Sequence, residues 1–140
     1  MGTDFRDAAG RHRDDAEHLL ADHRFPNADH LFGVSAECSL KAVMLALGMT
    51  VRADGAPTAR QHRVHINDLW NEFGAFVGTR TGTTYQATIS AVTNPFTDWD
   101  VGQRYAHRAG IAEPRVQAHK AGAETAWGVL QQAILDGVVS

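Results

Sequence analysis

The chain has 140 residues, of which 44% are hydrophobic and 21% are charged, as in an ordinary globular protein large enough to bury a core. Its formal net charge is −3, from 13 Lys and Arg against 16 Asp and Glu, which argues against a strongly electrostatic nucleic-acid binder. Glu37 and Lys41 interrupt the longest apolar run, so no stretch reaches the ~20 residues of a membrane span. These features predict one domain over residues 1–140.

The N-terminal residues and the cysteine content predict a cytoplasmic protein. Residues 1–15 contain no apolar signal core, which argues against export. The single cysteine, Cys38, cannot form an internal disulfide, which fits a reducing compartment.

The first half of the chain predicts two helices joined by a short turn. Apolar residues recur at helical spacing from about residue 4 to residue 23. Pro26 suits the first turn of a second helix, and Gly48 is placed to end it. The short connection predicts an antiparallel hairpin of these two helices.

The second half predicts shorter helices and one long final helix. We expect a surface loop over 50–64, a helix over 65–77, a Gly- and Thr-rich loop over 78–84 and a short helix over 85–92. Thr97 or Asp98 is available to cap a short helix over 99–107. The last helix opens at Glu113-Pro114 and runs to about Asp136. The predicted fold is an all-α, up-and-down bundle of four main helices plus short helices.

Glu37 and Lys41 lie in the middle of the most apolar predicted helix. They are four residues apart, so they share a helix face and can neutralise each other. One interpretation is a buried ion pair that fixes the orientation of the helix in the bundle. The other is a pair lining a groove between helices, with Lys41 able to meet a phosphate or an acid.

Basic residues form two local groups on this mildly acidic chain, a distribution compatible with a small phosphate-bearing ligand. The first group comprises Arg52, Arg60, His62, Arg63 and His65. The second group comprises Arg104, His107, Arg108, Arg115, His119 and Lys120. Scattered solvated charges are the alternative interpretation.

The order of four sequence passages resembles the HEPN family, the higher-eukaryote and prokaryote nucleotide-binding domains. The passages are Ala16-Glu17-His18-Leu19-Leu20 at the end of the first helix, the stretch from Ala28 through Glu37 and Leu40-Lys41-Ala42, His65 with Asp68-Leu69, and Trp99 with Arg104-Tyr105 before a long last helix. Together they cover residues 16 to 135.

This resemblance implies a helical bundle, often a homodimer, that binds nucleotide-like ligands or RNA. Many members of the family act beside a nucleotidyltransferase, which is therefore an expected protein partner. The ligand-binding residues that we predict are Lys41, Glu37, His65, Trp99, Arg104 and Tyr105. In the alternative interpretation, Trp99 and Tyr105 belong to the core and Arg104 pairs with a carboxylate such as Glu37.

A ribonuclease branch of the family, found in toxin–antitoxin and defence systems, uses an Arg and a His separated by four to six residues. This sequence departs from that pattern, because Arg104 and His107 have only two residues between them, and Arg115 and His119 have only three. These four residues are the catalytic candidates for a metal-independent ribonuclease, in which Arg holds a phosphate and His transfers a proton. Whether the chain is an enzyme stays open, and a structural dimerisation adaptor is the third interpretation.

No cofactor and no metal site is predicted. His62 and His65 lie three residues apart in a predicted loop, without a nearby cysteine to complete a ligand set. Cys38 lies in the middle of an apolar helix and does not have the surroundings of a nucleophile.

Overall fold

The computed structural model of the protein describes residues 1–80 and 82–140, and in these ranges it is all-α with no strand. The predicted fold class is therefore confirmed. The five helices are α1 (Phe5–Ala21), α2 (Phe25–Ala46), α3 (Ile66–Gly78), α4 (Thr83–Ser90) and α5 (Glu113–Leu135). Three short 3₁₀ helices lie at Arg60–His62, Val101–Tyr105 and Arg108–Gly110.

Helices α1 and α2 form the predicted hairpin. The side chain of Asp4 caps α1 by accepting a hydrogen bond from the Asp7 N–H at 3.0 Å. His23 then adopts a left-handed backbone conformation, with φ of 58°, so that the chain reverses within three residues. Pro26 stands in the first turn of α2, where its missing N–H costs no helical hydrogen bond.

Helix α2 is the centre of the bundle and packs against α1, α3 and α5. Its side chains are buried on most sides, which explains its almost continuous apolar sequence. Two buried serines of α2 are hydrogen-bonded: the Ser35 hydroxyl donates to the Ala9 carbonyl at 2.8 Å, and the Ser39 hydroxyl donates to the Ser35 carbonyl at 2.9 Å. Gly33 has no side chain because the Trp99 ring occupies the space where a Cβ would lie.

Two ion pairs join α1 to α5 at their partly exposed edges. Arg13 forms a two-pronged contact with Glu124, at 3.0 and 3.1 Å. Lys120 donates to Glu17 at 3.1 Å. Lys120, one member of the second basic group, is therefore already neutralised within the fold.

The prediction of a helix over 99–107, capped by Thr97 or Asp98, is wrong. The cap is Asp100, whose carboxylate accepts from the Gly102 N–H at 2.6 Å, and only the short 3₁₀ turn Val101–Tyr105 follows. The chain is extended at Asp100 and again at Ala106, which ends helical geometry on both sides of this turn. The Asp98 carboxylate contacts His119 instead of capping a helix. In the predicted 78–84 loop, α4 already begins at Thr83, and Thr81 lies outside the described residues.

Among the helices of the described ranges, none is both long enough and apolar enough to cross a membrane.

Candidate functional site

Glu37 and Lys41 form an ion pair at the contact between α2 and the start of α3. The Lys41 ammonium donates to Glu37 and to the Val64 carbonyl, both at 3.1 Å, and the His65 ring nitrogen Nδ1 lies 3.0 Å from the other Glu37 oxygen. Only 7% of the Lys41 side chain and 14% of the Glu37 side chain are exposed. Both charges therefore interact with neighbours in the same chain, and Lys41 is not presented to solvent.

The protonation of Glu37 and His65 follows from this contact. Burial alone would raise the pKa of Glu37, but the hydrogen bond from His65 and the Lys41 charge outweigh it and lower that pKa. The same hydrogen bond raises the pKa of His65 above its usual value. The Glu37 carboxylate and the His65 imidazole, when it is protonated, therefore stabilise each other where the chain enters α3.

Trp99 and Tyr105, which we predicted together, lie in opposite environments. The Trp99 indole is buried, donates to the Asp29 carbonyl at 3.1 Å and stacks on the His30 ring with centroids 5.8 Å apart. Tyr105 is 81% exposed, and the Arg104 guanidinium lies 4.9 Å from its ring centroid. The predicted stacking on a ligand is therefore open to Tyr105, whereas the faces of Trp99 are covered by the protein itself.

His30 is a further histidine of this region that the sequence did not single out. Its Nδ1 atom is buried without a hydrogen-bond partner among the described residues, behind the stacked Trp99 ring. Burial lowers the pKa of His30, and the neighbouring positive charges of Arg104 and His12 lower it further. Arg104 is therefore close enough to His30 for its charge to act on that ring.

His119 is fully buried between two carboxylates. Its Nδ1 lies 2.6 Å from Asp29 and its Nε2 lies 2.7 Å from Asp98. Burial disfavours the charged imidazole, but the hydrogen bonds and negative charges of Asp29 and Asp98 outweigh it and raise the pKa of His119. We call this arrangement, from α2 through α5 to the 94–100 segment, the His119 bridge.

Arg115 also belongs to the His119 bridge. Its guanidinium donates to the Asp98 carbonyl, and its Nε lies 3.7 Å from the Asp98 carboxylate. Two of the four catalytic candidates, Arg115 and His119, are therefore engaged with Asp98. The structure separates them from the other two, Arg104 and His107, which lie elsewhere on the surface.

Arg104, His107 and Arg108 line a groove against the turn between α1 and α2. The groove encloses about 590 Å³, which is within the size range of small-ligand pockets. Its lining residues are His23, Arg24, Phe25, Pro26, Asn27, Arg104, Ala106, His107 and Arg108. No Asp or Glu of the described chain is among them, and we call this site the cationic groove.

The arginines of the cationic groove differ in whether a carboxylate neutralises them. Arg24 donates to Asp22 at 2.9 Å, with both side chains largely exposed. In the part of the chain that the structure describes, no carboxylate forms an ion pair with Arg104 or Arg108. Helix α2 also begins at this groove, and no side chain caps its first N–H groups. The groove therefore has an unneutralised positive charge.

The first basic group does not form a comparable site. Arg52 is bound to Asp54 at 3.1 Å, and buried His62 lies 3.6 Å from Glu72. His65 is hydrogen-bonded to Glu37, as described above. Arg60 and Arg63 are exposed on the surface of this connection.

The described residues include no group of three or more His, Cys, Asp or Glu side chains placed to hold a metal ion. Cys38 is buried, and burial raises its pKa to about 12, so its thiol is not ionised near neutral pH.

The comparisons with known proteins give no relative for this chain. No family model matches it. No curated protein and no solved structure is significantly similar to it.

Several residues of the cationic groove escaped the sequence analysis, above all His23, Arg24 and Phe25. His23 was assigned to the end of the first helix, and Arg24 and Phe25 were assigned only to the turn that follows. A histidine, an arginine and an aromatic ring in succession at a helix start are nevertheless a usable signal. Asp29 and Gln103 were also missed, and their roles depend on contacts with distant parts of the chain.

Proposed function

We propose that the chain is a HEPN-like binding module that holds the phosphates of a nucleotide, free or within single-stranded RNA, in the cationic groove. The observation that carries the proposal is the lining of that groove. It contains three arginines and no carboxylate, and two of the arginines, Arg104 and Arg108, have no ion-pair partner among the described residues. Arginine suits this role because its planar guanidinium binds phosphate oxygens through two parallel hydrogen bonds.

Aromatic rings beside these arginines favour a nucleotide over a bare anion. Tyr105 is 81% exposed and has the Arg104 guanidinium against its ring, so it can stack on a base without disturbing the core. Phe25 lies in the groove with the His23 ring edge-on to it, at a centroid distance of 5.6 Å. Stacking surfaces combined with a positive groove are typical of proteins that bind single-stranded nucleic acid.

The test compares two double variants with the same loss of charge. Arg104→Ala/Arg108→Ala removes the two unpaired arginines of the groove, and Arg60→Ala/Arg63→Ala removes two exposed arginines outside it. Binding is measured with a fluorescent single-stranded RNA of about 12 nucleotides, with free nucleotides and with inorganic phosphate. We expect the groove variant to lose at least tenfold in affinity, about 1.4 kcal/mol or more, and the control variant to lose about twofold.

Each outcome of this binding experiment has a distinct consequence. Tight RNA binding with weak nucleotide binding identifies RNA as the source of the phosphates, and the reverse identifies a free nucleotide. Equal losses in the two double variants would mean that binding depends on net charge and would overturn the proposal. Absence of binding by the native chain would overturn it as well and would favour the adaptor interpretation.

A metal-independent ribonuclease is the second candidate, and one observation favours it. Arg104 and His107 line the same groove, so a phosphate held by Arg104 lies near an imidazole that can transfer a proton. The test is incubation with total RNA in EDTA. Cleavage by the native chain that His107→Ala abolishes, while RNA binding persists, would establish the enzyme, and intact RNA would reject it.

The resemblance also supports a cytoplasmic homodimer that works beside a nucleotidyltransferase. Sedimentation equilibrium over a wide concentration range tests the dimer, because a single monomer mass throughout would contradict it. Co-purification with a nucleotidyltransferase from the native host tests the partner.

A further inference from the structure

We propose that the His119 bridge positions the cationic wall of the groove, so that Asp29, His119 and Gln103 control phosphate affinity without contacting the phosphate. This inference rests on the proposed function, because it concerns the same groove. It assigns a role to the fully buried pair of Asp29 and His119, which does not line the groove.

Asp29 is the point where the bridge meets the wall. It is fully buried on α2, and one carboxylate oxygen contacts His119 while the other accepts from the Gln103 side-chain amide. A carboxylate at such a position is costly unless each oxygen has a partner. His119 and Gln103 supply these partners from α5 and from the 3₁₀ turn Val101–Tyr105.

Gln103 links Asp29 to the backbone segment that carries Arg104. Its amide nitrogen donates to Asp29, and its amide oxygen accepts from the Asp100 N–H at 3.2 Å. The Asp100 side chain in turn caps the same 3₁₀ turn. Arg104 is the next residue in the chain, so the backbone that carries it is fixed by the contact between Gln103 and Asp29.

The other end of the bridge holds the segment that precedes this turn. Asp98 contacts His119 through its carboxylate and Arg115 through its carbonyl, and the Phe96 ring stacks on His119 at 5.3 Å. A single 3₁₀ turn has little stability of its own, since its hydrogen bonds are few and poorly aligned. The wall over residues 104–108 therefore keeps its place through these tertiary contacts.

The charged groups around His119 account for the strength of this attachment. Asp29 on α2, Asp98 in the 94–100 segment and Arg115 on α5 are the ionic groups in contact with the bridge. Both imidazole nitrogens face a carboxylate oxygen at hydrogen-bond distance. A glutamine at position 119 carries both of its N–H donors on one nitrogen, so it cannot place a donor at both of the positions that Nδ1 and Nε2 occupy.

The experiment measures RNA affinity and its salt dependence in His119→Gln, with Tyr85→Phe as the control. Tyr85 donates to Asp136 at 2.6 Å near the C-terminal end of α5 and lines no part of the groove. Each protein is checked for native helicity by circular dichroism at the assay temperature. We expect His119→Gln to lose about tenfold in affinity and Tyr85→Phe to stay within about twofold.

Two further readouts separate positioning from stability. The slope of log affinity against log salt should fall in His119→Gln by about 0.7 for each phosphate contact that is lost. In the Arg104→Ala/Arg108→Ala background, His119→Gln should have no further effect, because the residues through which it acts are gone. If His119→Gln does not fold, Gln103→Ala replaces it, since that change breaks the link to the wall and leaves both His119 contacts in place.

The failures of the two proposals are distinguishable. If the native chain binds neither RNA nor nucleotide, the proposed function fails and this inference fails with it. If the native chain binds and the folded His119→Gln or Gln103→Ala variant binds equally well, the inference is overturned and the proposed function stands. The inference is also overturned if His119→Gln lowers the RNA affinity equally in the native chain and in the Arg104→Ala/Arg108→Ala background.

Discussion

Replacing Glu37 with alanine tests how firmly the ion pair at the start of α3 holds the bundle. At 3.1 Å the attraction between Glu37 and Lys41 is about 5 kcal/mol for an effective dielectric constant of ~20. Much of this is offset in the native state by desolvation of the two charges. The variant removes the attraction but leaves Lys41 buried, with only the Val64 carbonyl as a partner. We therefore expect a loss of about 3–5 kcal/mol in the free energy of unfolding.

The assay is equilibrium unfolding in urea, followed by circular dichroism. Two variants serve as controls. Glu124→Ala breaks a contact with Arg13 that is partly exposed, and it should cost about 1 kcal/mol or less. Glu37→Met/Lys41→Met removes both charges and should recover most of the stability that Glu37→Ala loses, because no buried charge is left alone. A cost below about 1 kcal/mol for Glu37→Ala would refute the assignment of a buried structural pair.

Two further predictions concern pH and packing. The lowered pKa of Glu37 gives stability that is lost as pH falls below its ordinary value of 4.5. The raised pKa values of His119 and His65 give stability that is present below 6.5 and is lost as pH rises through each folded pKa. The melting temperature should therefore be highest between these pH values, and His119→Gln should make its decline at higher pH shallower. An unchanged decline in this variant would contradict the role given to His119. Gly33→Ala places a methyl group where the Trp99 ring lies and should cost about 1–3 kcal/mol in urea unfolding. Gly128→Ala, which has open space around it on α5, should be neutral or stabilising, and equal effects of the two substitutions would count against this packing.

The helices were predictable because their signals are local. The apolar spacing, Pro26 and Gly48 placed α2 within about two residues of Phe25–Ala46, and Glu113-Pro114 gave the start of α5. The pairing of Glu37 with Lys41 was equally accessible, since four residues make one helical turn.

The turn at Val101–Tyr105 was not predictable from the same rules. Local propensity favoured a regular helix capped by Thr97 or Asp98. Asp98 instead contacts His119 through its carboxylate and accepts a hydrogen bond from Arg115 at its carbonyl. The contact between Asp29 and His119 spans 90 residues, which no spacing pattern encodes. Its one sequence signal is that His119 shares the apolar face of α5 with Val116 and Ala123, where a polar residue needs a partner.

The site was predictable only in part for a related reason. The sequence grouped Arg104, His107 and Arg108 with Arg115 and Lys120, because all are basic and close in the chain. Their carboxylate partners come from other segments, so only the structure separates the neutralised residues from the free ones. The opposite wall of the groove, around Phe25, belongs to a different part of the chain altogether.

The most direct measurement of the central claim is a nucleotide titration of isotope-labelled protein followed by backbone amide chemical shifts. If phosphates bind in the cationic groove, the largest saturable shifts will fall on residues 23–28, except proline, and on residues 104–108. Shifts centred on the Glu37 and His65 contact or on Arg60 and Arg63, or no saturable shifts at all, would contradict the account.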